Sequence, residues 1–300
     1  MTMPFELYLN NQVRIYRCES WSDFTREVRK NRPWPQIAQG NASVFANLTI
    51  FRGHSNPSWR LMSRLERKLE YGLGNPATQA VIPKSLRKDK GLKWYDSVCS
   101  RIIERFRRYA AGRIGFDATA HEDVIWALGR HFGLITPLLD WTESPYVAAF
   151  FAFEEFYKRL EIHDFTNTLA TNHDYVHVWG LRLWEEIEKE NEFEILRTAP
   201  YAAGRQRAQS GLFTRLRSVE HLDLFSYLES LGKAHLLERY EISGKTAVEG
   251  IRDLSLMNIT GATLFPDLTG AALEANFNSD IIHFISSEIL GHGSDCPSGP

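Results

Sequence analysis

The sequence predicts one α+β domain, with helices dominating its first half and strands gathering later. Two stretches, residues 94–111 and 145–160, place apolar side chains at helical spacing. After residue 172 short runs that alternate or carry β-branched residues replace that pattern. The composition, 43% hydrophobic with 24% charged and 12% aromatic, is that of a chain that folds around a core. Residues 1–44 read as a lead-in packed on that core, 45–285 as the globular unit, and 286–300, rich in Gly, Ser and Pro, as a disordered tail.

The elements follow in order. Thr49-Ile50-Phe51 is a short apolar run that ends at Arg52-Gly53. Trp94, Val98, Ile102, Ile103, Phe106, Tyr109 and Ala110 form one face of an amphipathic helix, with Arg101, Arg105, Arg107 and Arg108 largely between them. A second helix runs from His121 to Phe132 and stops at Gly133. Leu138 and Leu139 begin a strand that ends in Asp140-Trp141-Thr142, and Ser144-Pro145, an N-cap followed by a first-turn proline, starts a helix to about Leu160. Strands are expected at Tyr175–Trp179, Phe193–Arg197, Gly211–Leu216 and Leu236–Ile242, and helices at Leu222–Leu231, Ala247–Met257 and Asp267–Phe277.

Several function classes are disfavoured. The longest strongly apolar stretch, Tyr146–Phe153, is well short of the ~18 residues a membrane span needs, and the start lacks a basic region followed by an apolar run. A cytoplasmic protein with no membrane contact is expected. Cys18, Cys99 and Cys296 stand far apart in no paired motif, so neither a disulfide framework nor a cysteine metal site is expected. His163, His173 and His177 lie near Asp174 but have no firm third ligand, and no metal is assigned. Gly72-Leu-Gly74-Asn-Pro-Ala77 fits a loose dinucleotide pattern, yet it follows a basic helix instead of a strand. Neither a Walker motif nor Gly-x-Ser-x-Gly occurs.

Charge is uneven. Residues 60–113 carry 14 Lys+Arg against 5 Asp+Glu in a chain of net charge −2. That excess suits a phosphate-bearing ligand or nucleic acid, and equally a solvated helix face. Three polar clusters stand out beside it. Arg52 offers a planar fork to phosphate oxygens, and Gly53 permits close backbone approach. Asp140-Trp141-Thr142 precedes a helix N-terminus, where unpaired N–H groups favour an anion, although an ordinary capped turn has the same pattern. Gln209 and Ser210 precede a strand and can bond a ligand or merely solvate a loop.

Taken together, these clusters resemble the FRG domain family, named for the Phe-Arg-Gly that stands here as Phe51-Arg52-Gly53. Trp59 and Arg64 or Arg67 follow as in the family. The Gln-His-x-Gly-x-x-Thr-x-Leu-Leu-Asp-Trp-Thr block appears as Arg130-His131 through Asp140-Trp141-Thr142, with Arg130 in place of glutamine. Arg207-Ala-Gln209-Ser-Gly211-Leu-Phe213 and Leu264-Phe-Pro-Asp-Leu268 complete the resemblance over roughly residues 45–275.

The order of the clusters is also similar to the Arg, Ser-Thr-Ser, Glu layout of arginine-class ADP-ribosyltransferases. That similarity implies a mostly antiparallel, split β-sheet and NAD as a substrate whose ADP-ribose passes to an unknown macromolecular target. A toxin or defence setting suits such chemistry. It implies that Arg52 holds the phosphates, with Gly53 and His131 beside them. Thr142 and Ser144 would brace the nicotinamide side, and Trp141 would stack on a ring. Gln209 falls where the catalytic glutamate stands, so Asp140 or Glu143 would supply the missing charge. Arg52, Asp140, Thr142 and Gln209 are therefore the expected catalytic set. The alternative is a non-catalytic nucleotide- or nucleic-acid-binding module that uses the basic region 60–113.

Overall fold

Alternation of apolar side chains builds two differently covered sheet faces, and the seam between the helices on one of them positions the site. The computed structural model describes residues 12–31, 48–71, 84–113, 117, 119–162, 175–183, 187, 190–197 and 204–277. Within these, the chain runs β1 (Arg14–Cys18), α1 (Trp21–Asn31), β2 (Leu48–His54), α2 (Arg64–Tyr71), α3 (Lys84–Ala110), α4 (Glu122–His131), β3 (Leu138–Thr142) and α5 (Pro145–Ile162). It continues β4 (Tyr175–Leu183), β5 (Phe193–Leu196), α6 (Gly204–Ala208), β6 (Gly211–Leu216), α7 (Leu224–Ser230), β7 (Leu237–Ser243), α8 (Ala247–Leu256), α9 (Gly261–Leu264) and α10 (Leu268–Phe277).

The seven strands form one open sheet in the order β1-β7-β4-β2-β3-β6-β5. Only β1 and β7 pair in parallel; the other neighbours are antiparallel. The fold is thus a mixed α+β fold with a mostly antiparallel sheet. β2 pairs with β4 along its whole length, from Leu48–Leu183 to His54–His177. Against β3 it shares the single pair Phe51–Thr142, so the sheet has two wings hinged at one point.

Period-two alternation assigns each wing its cover. From β4, Val176 and Val178 face a core built with α1, α5 and α8, including Phe24, Ala148, Phe153 and Leu254. Trp179, Leu181 and Leu183 face the opposite side with Ile50, Trp141, Leu212 and the α7 residues Phe225 and Leu228. On the other wing Leu138 and Phe213 meet α2, α3 and α4 through Leu65, Tyr95, Ile103 and Trp126. The helices over the two wings leave a seam between α5 and α4.

Two features were not visible as periodicity. The lead-in supplies β1 as an edge strand and α1 as a helix on the core, with Trp21 donating its indole N–H to Asp253 at 2.7 Å. The helix expected over 94–111 starts ten residues earlier and turns at Gly91, whose φ of 66° is left-handed. Its first part is anchored by Arg87, which is buried and donates to the carbonyls of Leu69 and Val219. No described helix is long and apolar enough to cross a membrane. The expected tail, the Gly72–Ala77 pattern, His163, His173, Asp174 and Cys296 lie outside the described residues. Among the described residues no group of three or more His, Cys, Asp or Glu is placed to hold a metal.

Candidate functional site

The hinge between the wings creates a gap that one side chain closes. Beyond Phe51–Thr142 the strands separate, leaving the Asp140 carbonyl without a partner strand on that side. Arg52 fills this position: its Nη1 donates to the Asp140 main-chain oxygen at 2.7 Å and lies 3.4 Å from Asp140 Oδ2. Its Nε donates to His54 Nε2 at 3.0 Å. The side chain is 18% exposed and lines a cavity of about 360 Å³. That volume suits a fragment of a nucleotide or a comparable small molecule.

Asp140 is clamped twice. Arg130, from the last turn of α4, donates Nε to Oδ1 at 3.1 Å and Nη2 to Oδ2 at 2.5 Å. This fork is the strong bidentate geometry of arginine and carboxylate. Burial opposes the charge on Asp140, but Arg130 and then Arg52 hold its carboxyl below the usual carboxylate range. Asp140 is therefore an ionised anchor and a poor proton donor. Arg67 on α2 adds a third guanidinium whose charge reaches Arg130 and Asp140. The arginines leave this end of the cavity electropositive.

Gly53 explains how α5 reaches the cavity. A Cβ there would stand 2.0 Å from the Ala148 carbonyl oxygen and 2.8 Å from the Ala152 nitrogen, so only glycine lets strand and helix approach this closely. The approach presents one helical face, Ala148, Phe151, Glu154 and Glu155, to the cavity. Glu154 is also ion-paired with Lys158 one turn on. Phe51 and Phe265 complete the apolar wall, and the rings of Phe151 and Phe265 meet edge to face at 5.9 Å.

The other expected residues divide into those at the cavity and those supporting it. Thr142 and Gln209 both line it, joined when Thr142 Oγ1 donates to the Gln209 main-chain oxygen at 2.7 Å. Thr142 Oγ1 also accepts from the Ser144 N–H at 3.1 Å, so this hydroxyl ties the β3–α5 turn to the segment just before β6. Gln209 Nε2 donates to the Leu264 carbonyl at 3.1 Å. Ser144 caps α5, accepting from the Val147 N–H at 3.3 Å, and does not line the cavity. Trp141 borders the cavity, but its indole is 3% exposed and donates to Thr214 Oγ1 at 2.9 Å within the core on the opposite face. His131 packs its ring edge-on to Phe132 at 4.8 Å and is not part of the lining. Glu143, the other acid weighed, pairs with Arg197 at 3.0 Å and is likewise absent from the lining.

Sequence reasoning missed Arg130, His54, Glu154 and Glu155 as site residues. Two of these carried a signal: His54 shares a strand face with Arg52, and Glu155 shares a helix stripe with Ala148 and Phe151. Arg130 carried none beyond its place in the block, because its pairing with Asp140 crosses from helix to strand.

An arginine-rich cleft at the hinge of a mostly antiparallel sheet, roofed by a helix from the adjoining strand, is the candidate site of this α+β domain. Residues 47–160 match the family model of the FRG domain, so the chain carries an FRG domain. The match spans β2 through α5 and contains Arg52, Arg130, Asp140 and Thr142, while Gln209 and Phe265 lie beyond it. Neither the curated proteins nor the solved structures give a match.

Proposed function

We propose that this cleft binds NAD and that the protein transfers ADP-ribose from it to a macromolecular target. The observation that carries the reading is convergence: Arg52, Asp140, Thr142 and Gln209, from separate stretches of the chain, border one cavity. Arg52 is held at Nε and Nη1, which leaves Nη2 for a diphosphate oxygen. The phenylalanine wall suits the planar face of a base or nicotinamide. Asp140 is neutralised between two arginines, and Gln209 spends its amide N–H on Leu264. Glu154 is paired with Lys158, so stabilising an oxocarbenium-like transition state falls to Glu155 in the lining. The order of these groups along the chain, similar to that of arginine-class ADP-ribosyltransferases, supports the same reading.

The test is incubation of the full chain with labelled NAD and cell lysate, beside Arg52→Ala. Nicotinamide release and label transfer should fall by about two orders of magnitude in the variant. Equal signals from the two proteins would remove the transferase reading.

A second reading, polyanion binding, is favoured by one observation. Of the basic residues in 60–113, Arg60 pairs with Asp223 and Glu70, and Arg87 is buried, but Arg101, Arg105 and Arg108 stand exposed along α3 next to the exposed Tyr109. A spaced row of arginines, with Arg108 lying over the Tyr109 ring at 4.9 Å, suits a phosphate backbone.

A further inference from the structure

A guanidinium that must hold an anion works best when its plane is fixed before the ligand arrives. Arg52 is a long side chain with considerable rotamer freedom, and its contact with Asp140 restrains only Nη1. The second restraint is His54, two residues along β2 on the same strand face. We propose that His54 is a positioning residue for Arg52: its neutral imidazole accepts the Arg52 Nε–H and, with the Asp140 carbonyl, locks the guanidinium plane so that Nη2 is left for the ligand.

The hydrogen bond itself dictates the protonation state. Arginine only donates, so His54 Nε2 must carry a lone pair and the ring proton must sit on Nδ1. Protonating the ring would set an N–H against an N–H and expel Arg52 from its place. The surroundings guard against this. His54 is 3% exposed, and the edge of its ring packs against Trp59 at a centroid distance of 6.0 Å. The titratable and charged groups facing it are Arg52 on its own strand, His177 directly opposite on β4, and Arg67 from α2. Burial first, then the Arg52 charge, hold the imidazole well below its ordinary value. His177 is itself pushed down to about 3 by burial and Arg239, with Glu241 opposite it on β7, so it adds no competing proton near neutrality.

This inference rests on the NAD reading for what Arg52 holds, but not for how Arg52 is held, and the experiment separates the two. Nitrogen NMR on the labelled full chain reads the ring directly. His54 should show an unprotonated Nε2 with scalar coupling across the hydrogen bond to Arg52 Nε, and His54→Gln serves to assign the signal. A proton on Nε2, or a charged ring at neutral pH, overturns the proposal. Binding is then measured with ADP-ribose as the probe for wild type, His54→Gln and His54→Leu, alongside their melting temperatures. Glutamine retains a side-chain acceptor and should bind nearly as wild type. Leucine does not, and should bind at least about tenfold more weakly, the loss expected for one hydrogen bond to a charged group. Wild-type affinity should show no inflection near ~6.5, where an unperturbed histidine titrates. Equal binding by folded His54→Leu, or equal loss in both variants, overturns the proposal. If wild type binds no ADP-ribose the NAD reading falls, while the ring tautomer and coupling still decide the role of His54.

Discussion

Glu66 offers a perturbation whose sign follows from burial and whose size follows from the rise of its carboxyl. It is 2% exposed at the start of α2, and two hydroxyls touch its carboxyl, each of which also reaches a main-chain carbonyl. Ser63 Oγ contacts Glu66 Oε2 and lies 3.0 Å from the Thr136 carbonyl. Tyr95 OH lies 2.6 Å from Glu66 Oε1 and 3.2 Å from the Leu216 carbonyl. The two hydroxyls supply one hydrogen each, and both carbonyls only accept. An ionised Glu66 therefore leaves half of these contacts without a hydrogen, whereas a protonated one donates to Ser63 and frees the serine for Thr136. Burial raises the Glu66 carboxyl to about 7, against an ordinary 4.5.

Because the folded protein holds this proton more tightly than the unfolded chain, stability from this group is complete below 4.5 and declines as pH rises through about 7. At about 1.4 kcal/mol per pH unit, the gap between 4.5 and about 7 corresponds to about 3 kcal/mol. Glu66→Gln mimics the neutral acid, its amide donating to Ser63 and its carbonyl accepting from Tyr95. Urea unfolding of both proteins from about pH 4.5 to 8 should show near-equal stability at the acid end. At the alkaline end the glutamine variant should be the more stable by up to about 3 kcal/mol, a midpoint shift of about 1–3 M. Groups common to both proteins cancel in the difference. Parallel pH curves, or an advantage for glutamine at low pH, would refute the hydrogen count.

Two further outcomes are expected. Gly53→Ala forces a methyl group into the α5 backbone and should destabilise the fold by about 3 kcal/mol or more, read as a lowered urea midpoint; a neutral effect would show that β2 and α5 are not in contact as described. Reversing the charge at Arg101, Arg105 and Arg108 should abolish any salt-sensitive binding to single-stranded nucleic acid while leaving ADP-ribose binding unchanged; salt-insensitive binding would remove the polyanion reading.

Much of this architecture was legible locally. The Ser144-Pro145 helix start, the strand ending in Asp140-Trp141-Thr142 and the strand at Gly211–Leu216 all formed as their spacing and turn residues require, because caps and alternation act within a few residues. Trp141 shows where such reading stops. The similarity to ADP-ribosyltransferases implied a stacking surface, but strand alternation sends its indole to the face opposite Asp140, where Thr214 supplies an acceptor. Arg130 shows the same limit from the other side: an apparent exception in a familiar block is Asp140's principal partner.

The residues alone specify the α+β class, the Phe-Arg-Gly strand and the capped helix that follows the Asp-Trp-Thr turn, since each rests on short-range periodicity and capping. It takes the folded sheet to show that β2 and β3 join at a single pair, that Arg52 bridges the resulting gap between His54 and Asp140, and that α5 brings its glutamates to the same cavity. Apart from Arg52 and His54, which are neighbours along β2, those contacts join residues far apart in the chain. They depend on strand order and on the close approach that Gly53 permits, which no local pattern encodes.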